Sequence, residues 1–151
     1  MGETSPTLVA RIEPGPLDVA RAIAEASTPD AGGVGVFVGT VRASAAVADH
    51  DEDRVVRLDY DVHVRLAERR LEEIAHEAAG KWGLLRVVAI HRSGACELGE
   101  PTVVVACAAP HRAEALDACR WVIDEIKSTV PIFKREVYED GSSWVGTEAG
   151  A

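Results

Sequence analysis
Apolar and polar positions alternate along this chain in two rhythms, one of period two and one of helical spacing. Residues 34–42 (VGVFVGTVR) form a β-branched, glycine-flecked run that reads as a buried strand. In 54–61 (RVVRLDYD), Val56, Leu58 and Tyr60 point one way and Arg57, Asp59 and Asp61 the other. Helical spacing governs 16–28, where Leu17, Ala20, Ile23 and Ala24 share a stripe and Pro16 suits a helix start. A second helix runs to about Trp82 on a stripe of Ala67, Leu71, Ile74, Ala75, Ala78 and Trp82, and Gly83 closes it. Two further strands, 84–92 and 101–109, flank a turn around Ser93 and Gly94. The third helix spans about 113–128 with Leu116, Cys119, Ile123 and Ile126 inward, and Pro131 blocks its continuation. A strand over 132–139, a turn at Asp140 and Gly141, and a short last strand follow. The order α-β-β-α-β-β-α-β-β predicts an α+β fold with a mixed or antiparallel sheet and three main helices on one face. The whole of 1–151 reads as a single domain, with poorly ordered ends at 1–15 and 146–151. Residues 43–53, small and then acidic, read as a mobile loop that exposes His50.

Composition narrows the function. A net charge of −9 excludes a broad nucleic-acid face, which needs a basic excess to neutralise phosphates. A small anionic ligand remains compatible, because a few clustered cations override the global sign locally. The three cysteines, Cys96, Cys107 and Cys119, have no CxxC spacing and make neither a disulfide framework nor a zinc site. Cys107 and Cys119 fall on apolar faces as inert core thiols, whereas Cys96 is placed in a loop, open to solvent. No signal-peptide pattern and no apolar run of about 20 residues is visible, so the expectation is a soluble, cytoplasmic protein without a membrane role.

The stretch KSTVPIFKRE (127–136) carries the sharpest chemical signal. Lys127 ends a helix and Lys134 lies on the strand beyond a proline-forced corner, so the chain can fold back and bring both to one pocket. Two ammonium groups held close repel and partial burial disfavours charge, which suits a lysine to act as proton donor, base or amine nucleophile. The same pattern also describes two solvated lysines, one of them complementing a helix dipole. At the strand-to-helix junction APHR (109–112), His111 and Arg112 join free backbone N–H groups in a seat for an oxyanion or phosphate, or simply cap the helix. Arg42 emerges at a strand end beside the acidic loop, placed as a ligand clamp or as a plain surface residue. His91 and Arg92 in IHRSG (90–94) read as turn-forming surface residues, and His63 and His76 lack metal-ligand spacing.

In sequence order GVFVGTVR, LDYDVHVRLAERRLEEI, IHRSGACELGE, APHRAEALDACRWVIDEIK, VPIFKRE and a closing WV resemble the molybdopterin synthase catalytic (large) subunit family, from about Gly32 to Val145. The resemblance implies an α/β-hammerhead fold with an added small β subdomain. It implies a sulfur transferase that converts cyclic pyranopterin monophosphate to molybdopterin, with no cofactor or metal of its own. Sulfur would come as a thiocarboxylate on the C-terminal Gly-Gly of a small ubiquitin-like subunit, two large subunits forming a central homodimer within a heterotetramer. It makes Lys127 and Lys134 the catalytic lysines and gives Thr40, Val41, Arg42, His111, Arg112, Arg135 and Glu136 to substrate binding. Phe37 would touch the carrier's tail. Phe133 stands where the family usually has tryptophan, His63 where tyrosine is common, and Pro110 where a small polar residue is usual.

Overall fold
In the computed structural model, which describes residues 5–44 and 54–147, the chain runs β1 (Thr7–Glu13), α1 (Val19–Ala26), β2 (Gly33–Thr40), β3 (Val55–Val62), α2 (Val64–Trp82), β4 (Arg86–Arg92), β5 (Gly94–Glu97), β6 (Pro101–Ala109), α3 (Arg112–Thr129), β7 (Ile132–Tyr138) and β8 (Ser143–Thr147). Two four-stranded sheets result, ordered β1-β4-β6-β2 and β5-β3-β7-β8. Among the described residues only β1 with β4 is a parallel pair; the other strand pairs are antiparallel.

The uninterrupted apolar runs of β4 and β6 leave those strands with no polar face, so both sides of the first sheet must be covered. Val87, Ala89, Val103, Val105 and Cys107 pack in one cluster with Leu71, Ile74, Val122 and Ile126 of α2 and α3. Val88, Ile90, Val104 and Ala106 pack in another with Leu17, Ala22 and Ala26. The helices therefore lie on both faces, not on one as the element order suggested. The second sheet turns Leu58, Tyr60, Cys96, Ile132 and Tyr138 into the α2–α3 cluster.

Local chemistry sets the helix boundaries. Asp18 caps α1 by accepting from the Arg21 N–H at 3.0 Å, so the helix begins at Val19 rather than at Pro16. Gly83 ends α2 in the left-handed region at φ 62°. Val130 is held extended (φ −79°, ψ 132°) ahead of Pro131, because proline crowds a helical predecessor, and the chain turns directly into β7.

Five expectations change. Thr7–Glu13, within the stretch read as a loose end, is strand β1, and Gly94–Glu97, read as the end of a turn and a loop, is strand β5. Val56 lies exposed because the β3–β7 register shifts between Val55 and Arg57, which breaks the alternation that put it beside Leu58. Leu116 is 58% exposed and Ala115 and Ala118 take the inward places. A Cβ on Gly35 would collide with the Ala115 carbonyl oxygen, so β2 and α3 approach too closely for a leucine between them. In α1 Ala22 and Ala26 are buried while Ile23 is exposed, since the short helix meets the sheet on its small residues. Ala45–Asp53, with His50, lies outside the described residues; Ser44 and Arg54 beside it form an isolated antiparallel bridge. Among the described residues no helix is long and apolar enough to cross a membrane.

Candidate active site
The chain has three lysines, and two of them line one cleft of about 460 Å³, a size suited to a small organic ligand. Strand alternation on β7 puts Ile132, Lys134, Glu136 and Tyr138 on its inner face. Tyr60 of β3 stands opposite Lys134, and Leu58 opposite Glu136. These four side chains, Leu58, Tyr60, Lys134 and Glu136, line the cleft from the second sheet. The first sheet adds Thr102 of β6 and the end of β2, Phe37 to Thr40, with Arg42 just beyond it. Lys127, from the last turn of α3, completes the lining. The proline corner thus does what its sequence suggested: it delivers a helix-borne and a strand-borne lysine to the same space.

The mouth of the cleft depends on Gly39. The β2–β6 register shifts between Gly39 and Thr40, and a Cβ on Gly39 would come within 2.7 Å of Val103 Cγ1 and 3.1 Å of Thr102 Oγ1. Glycine lets β2 bulge there without pushing β6 away. Three cations, Arg42, Lys127 and Lys134, and one carboxylate, Glu136, then share the cleft. Lys134 is 6% exposed and Glu136 3%, and Tyr138 donates its hydroxyl to Glu136 Oε1 at 3.1 Å. A low-dielectric wall focuses the field of such a cluster, so this one concavity favours an anion on a protein of net charge −9.

Other sequence candidates lie elsewhere. His111 is the N-cap residue of α3 without a side-chain cap bond, and Arg112 is the first residue of that helix. Arg112 lines a separate groove with Gly33, Gly35 and Leu116. It and Lys127 sit near opposite ends of an 18-residue helix, roughly 22 Å apart along its axis. Arg135 alternates to the outer face of β7, opposite Asp59. Val41 is buried in the α2–α3 cluster. The lysines, Arg42, Thr40, Phe37 and Glu136 are therefore brought together, and His111, Arg112, Arg135 and Val41 are not.

Tyr60 and Thr102 were missed as site residues. The period-two pattern had put Tyr60 on the same side as Leu58, but nothing local said that its neighbour across the ladder would be Lys134. His91 and Arg92 are buried, not surface turn residues. Cys96 is likewise sealed on β5 rather than open in a loop. Burial pushes the Cys96 thiol up to about 11, against the pull of nearby Arg92. Burial also raises Cys107 to about 12 and Cys119 to about 11, so none is a ready nucleophile. The Glu100 carboxyl is held below its usual range by the Glu97 N–H at 2.8 Å and by Arg92 at 3.0 Å.

Comparison with known proteins adds a family. The model of the family described as "MoaE protein" matches residues 12–129. The chain is 44% identical over 130 residues to a molybdopterin synthase catalytic subunit of Oryza sativa subsp. indica, a match covering 86% of this chain. That match spans only 65% of the rice protein's length. The molybdopterin synthase catalytic subunit of Pyrococcus abyssi is 35% identical, with 96% of this chain and 93% of that one covered. Among solved structures, molybdopterin synthase from Staphylococcus aureus superposes with a TM-score of 0.81 at 29% identity, covering 91% of this chain and 96% of that one.

Proposed function
This chain belongs to the MoaE protein family, and from that premise we propose that it is the catalytic, large-subunit component of a sulfur transferase of molybdenum cofactor biosynthesis. Its substrate is cyclic pyranopterin monophosphate, and the sulfur arrives as the thiocarboxylate of a small ubiquitin-like carrier's Gly-Gly tail. The whole chain acts as one domain, in the cytoplasm. One observation carries the reading: Lys127 of α3, Lys134 of β7 and Arg42 just beyond β2 reach a single cleft. A phosphate-bearing pterin and a thiocarboxylate are both anions, and a preorganised cation cluster stabilises both while charge shifts from sulfur to the carrier's carboxylate. Arg42 and Lys134 hold the substrate's charge and Lys127, at the helix end, meets the reacting carbonyl. Thr40 offers a hydroxyl at the cleft mouth, and Phe37 gives the tail an apolar wall.

In this reading His111 and Arg112 also bind the anionic substrate and come from a second copy of the chain, which their place at the far end of α3 from Lys127 supports. A homodimer of large subunits, with a carrier for each, is the assembly that completes both sites. Arg135, on the outer face of β7, and Val41, buried just beyond β2, act by holding the backbone at the cleft rather than by touching substrate.

The deciding experiment is single-turnover conversion of cyclic pyranopterin monophosphate with a thiocarboxylated carrier. Wild-type protein is expected to form molybdopterin, and folded Lys127→Ala to be slower by at least about a hundredfold. Wild-type protein that binds the carrier but makes no product would leave a binding module in place of an enzyme.

A further inference from the structure
The segment IHRSG (90–94) contributes no residue to the cleft lining, yet it holds a fully buried imidazole. His91 is 1% exposed, and its Nδ1 lies 2.7 Å from the Arg92 carbonyl oxygen. A carbonyl oxygen only accepts, so Nδ1 carries the proton and donates it, which fixes the ring plane. That ring stands edge-on to Tyr60, with centroids 4.9 Å apart and planes at 84°, a favourable aromatic geometry. Tyr60 faces the cleft and is paired directly with Lys134, and side chains so paired have Cβ atoms about 5 Å apart. A line of contact therefore runs from His91 in the first sheet, through Tyr60, to Lys134 in the second.

The backbone around His91 reinforces this line. Arg92 donates to Glu100 at 3.0 Å and to the Ala95 carbonyl at 2.6 Å, and Glu100 also receives the Glu97 N–H. These bonds fix the corner from β4 to β5, and β5 places Gly94 opposite Tyr60. Gly94 turns that corner at φ 85°, a conformation that a side chain would strain. Tyr60 is thus held twice by one short segment, through its backbone by Gly94 and through its ring by His91.

We propose that His91 is a positioning residue for the cleft, its ring setting Tyr60 and thereby the place of the Lys134 side chain. The inference rests on the sulfur-transfer reading only for its kinetic consequence. A packed ring two contacts from the reacting atoms governs geometry, and small misplacements of a catalytic group cost rate far more than binding.

Two variants separate the ring from the hydrogen bond: His91→Asn keeps a donor but loses the ring, and His91→Phe keeps the ring but loses the donor. Each is treated with an amine-reactive reagent, and modification of Lys134 is measured by peptide mass spectrometry relative to exposed Lys81. Single-turnover kinetics follow on the same samples. In His91→Asn, Lys134 should be modified several-fold faster relative to Lys81, and the single-turnover rate constant should fall about tenfold with substrate affinity nearly unchanged. In His91→Phe both should return close to wild type. A wild-type labelling ratio in His91→Asn overturns the proposal. So does a His91→Phe variant as perturbed as His91→Asn, or an Asn variant in which all three lysines are exposed alike, which would mark His91 as a general core residue. If wild-type protein makes no product, the sulfur-transfer reading falls, while the labelling ratio still decides the role of His91.

Discussion
At the scale of single residues, burial decides which groups stay chemically silent. Cys96, Cys107 and Cys119 have thiols raised from a reference of 9.0 to about 11, 12 and 11. In the unfolded chain they ionise at their ordinary value, so the folded protein binds more protons between about pH 9 and pH 12. The sign follows: this contribution is fully present below about pH 9 and is lost as pH rises through 11 to 12. Denaturation midpoints should fall over that window, and the fall should be shallower in Cys107→Ala; an equal slope in both proteins would count against it. Gly39 is a residue of the opposite kind, defined by what it lacks. With 2.7 Å to Val103 Cγ1, Gly39→Ala is expected to cost about 1–3 kcal/mol in urea denaturation and to lower turnover by crowding the cleft mouth. The sequence showed glycines in GVFVGTVR, but which one faces another strand is a fact about the partner strand.

At the scale of elements, the long and strongly periodic pieces were legible. The stripe of α2, the blocking of α3 by Pro131 and the apolar runs of β4 and β6 all follow from local chemistry, and each appears where that chemistry puts it. Gly83→Ala tests one such rule: with φ at 62° it should destabilise by about 1 kcal/mol and leave the proposed sulfur transfer unchanged, as Gly83 lies outside the cleft. Urea midpoints and turnover measured side by side decide this. The elements that were not legible owe their existence to distant partners. Strand β1 forms against β4 about eighty residues away (Thr7 opposite Arg86), and Ile12 N–H is taken by Glu68 of α2 at 2.9 Å. Strand β5 has four residues, too few for a period, and is defined by pairing with β3.

At the scale of the whole molecule, the site is a meeting of two sheets and a helix end, and by the proposed reading of two chains. If His111 and Arg112 serve the cleft of a second copy, Lys127→Ala and Arg112→Ala proteins should complement each other. Mixed after dissociation and reassociation, two nearly inactive variants should regain about a quarter of wild-type activity, since half the dimers are mixed and each holds one intact site. No regain on mixing would remove His111 and Arg112 from the substrate's contacts.

By itself the sequence determined the types of the long, periodic elements, the corner at Pro131 that returns Lys134 toward Lys127, and the motifs that mark the family. These are local properties, written in periodicity, in proline and glycine stereochemistry, and in short words of fixed spacing. Only the tertiary structure decided that Tyr60 faces Lys134, that Arg135 turns away while Glu136 turns in, and that His91 is core rather than surface. The reason is physical: strand register, side-chain burial and the joining of two sheets depend on which distant segment supplies the other half of each contact.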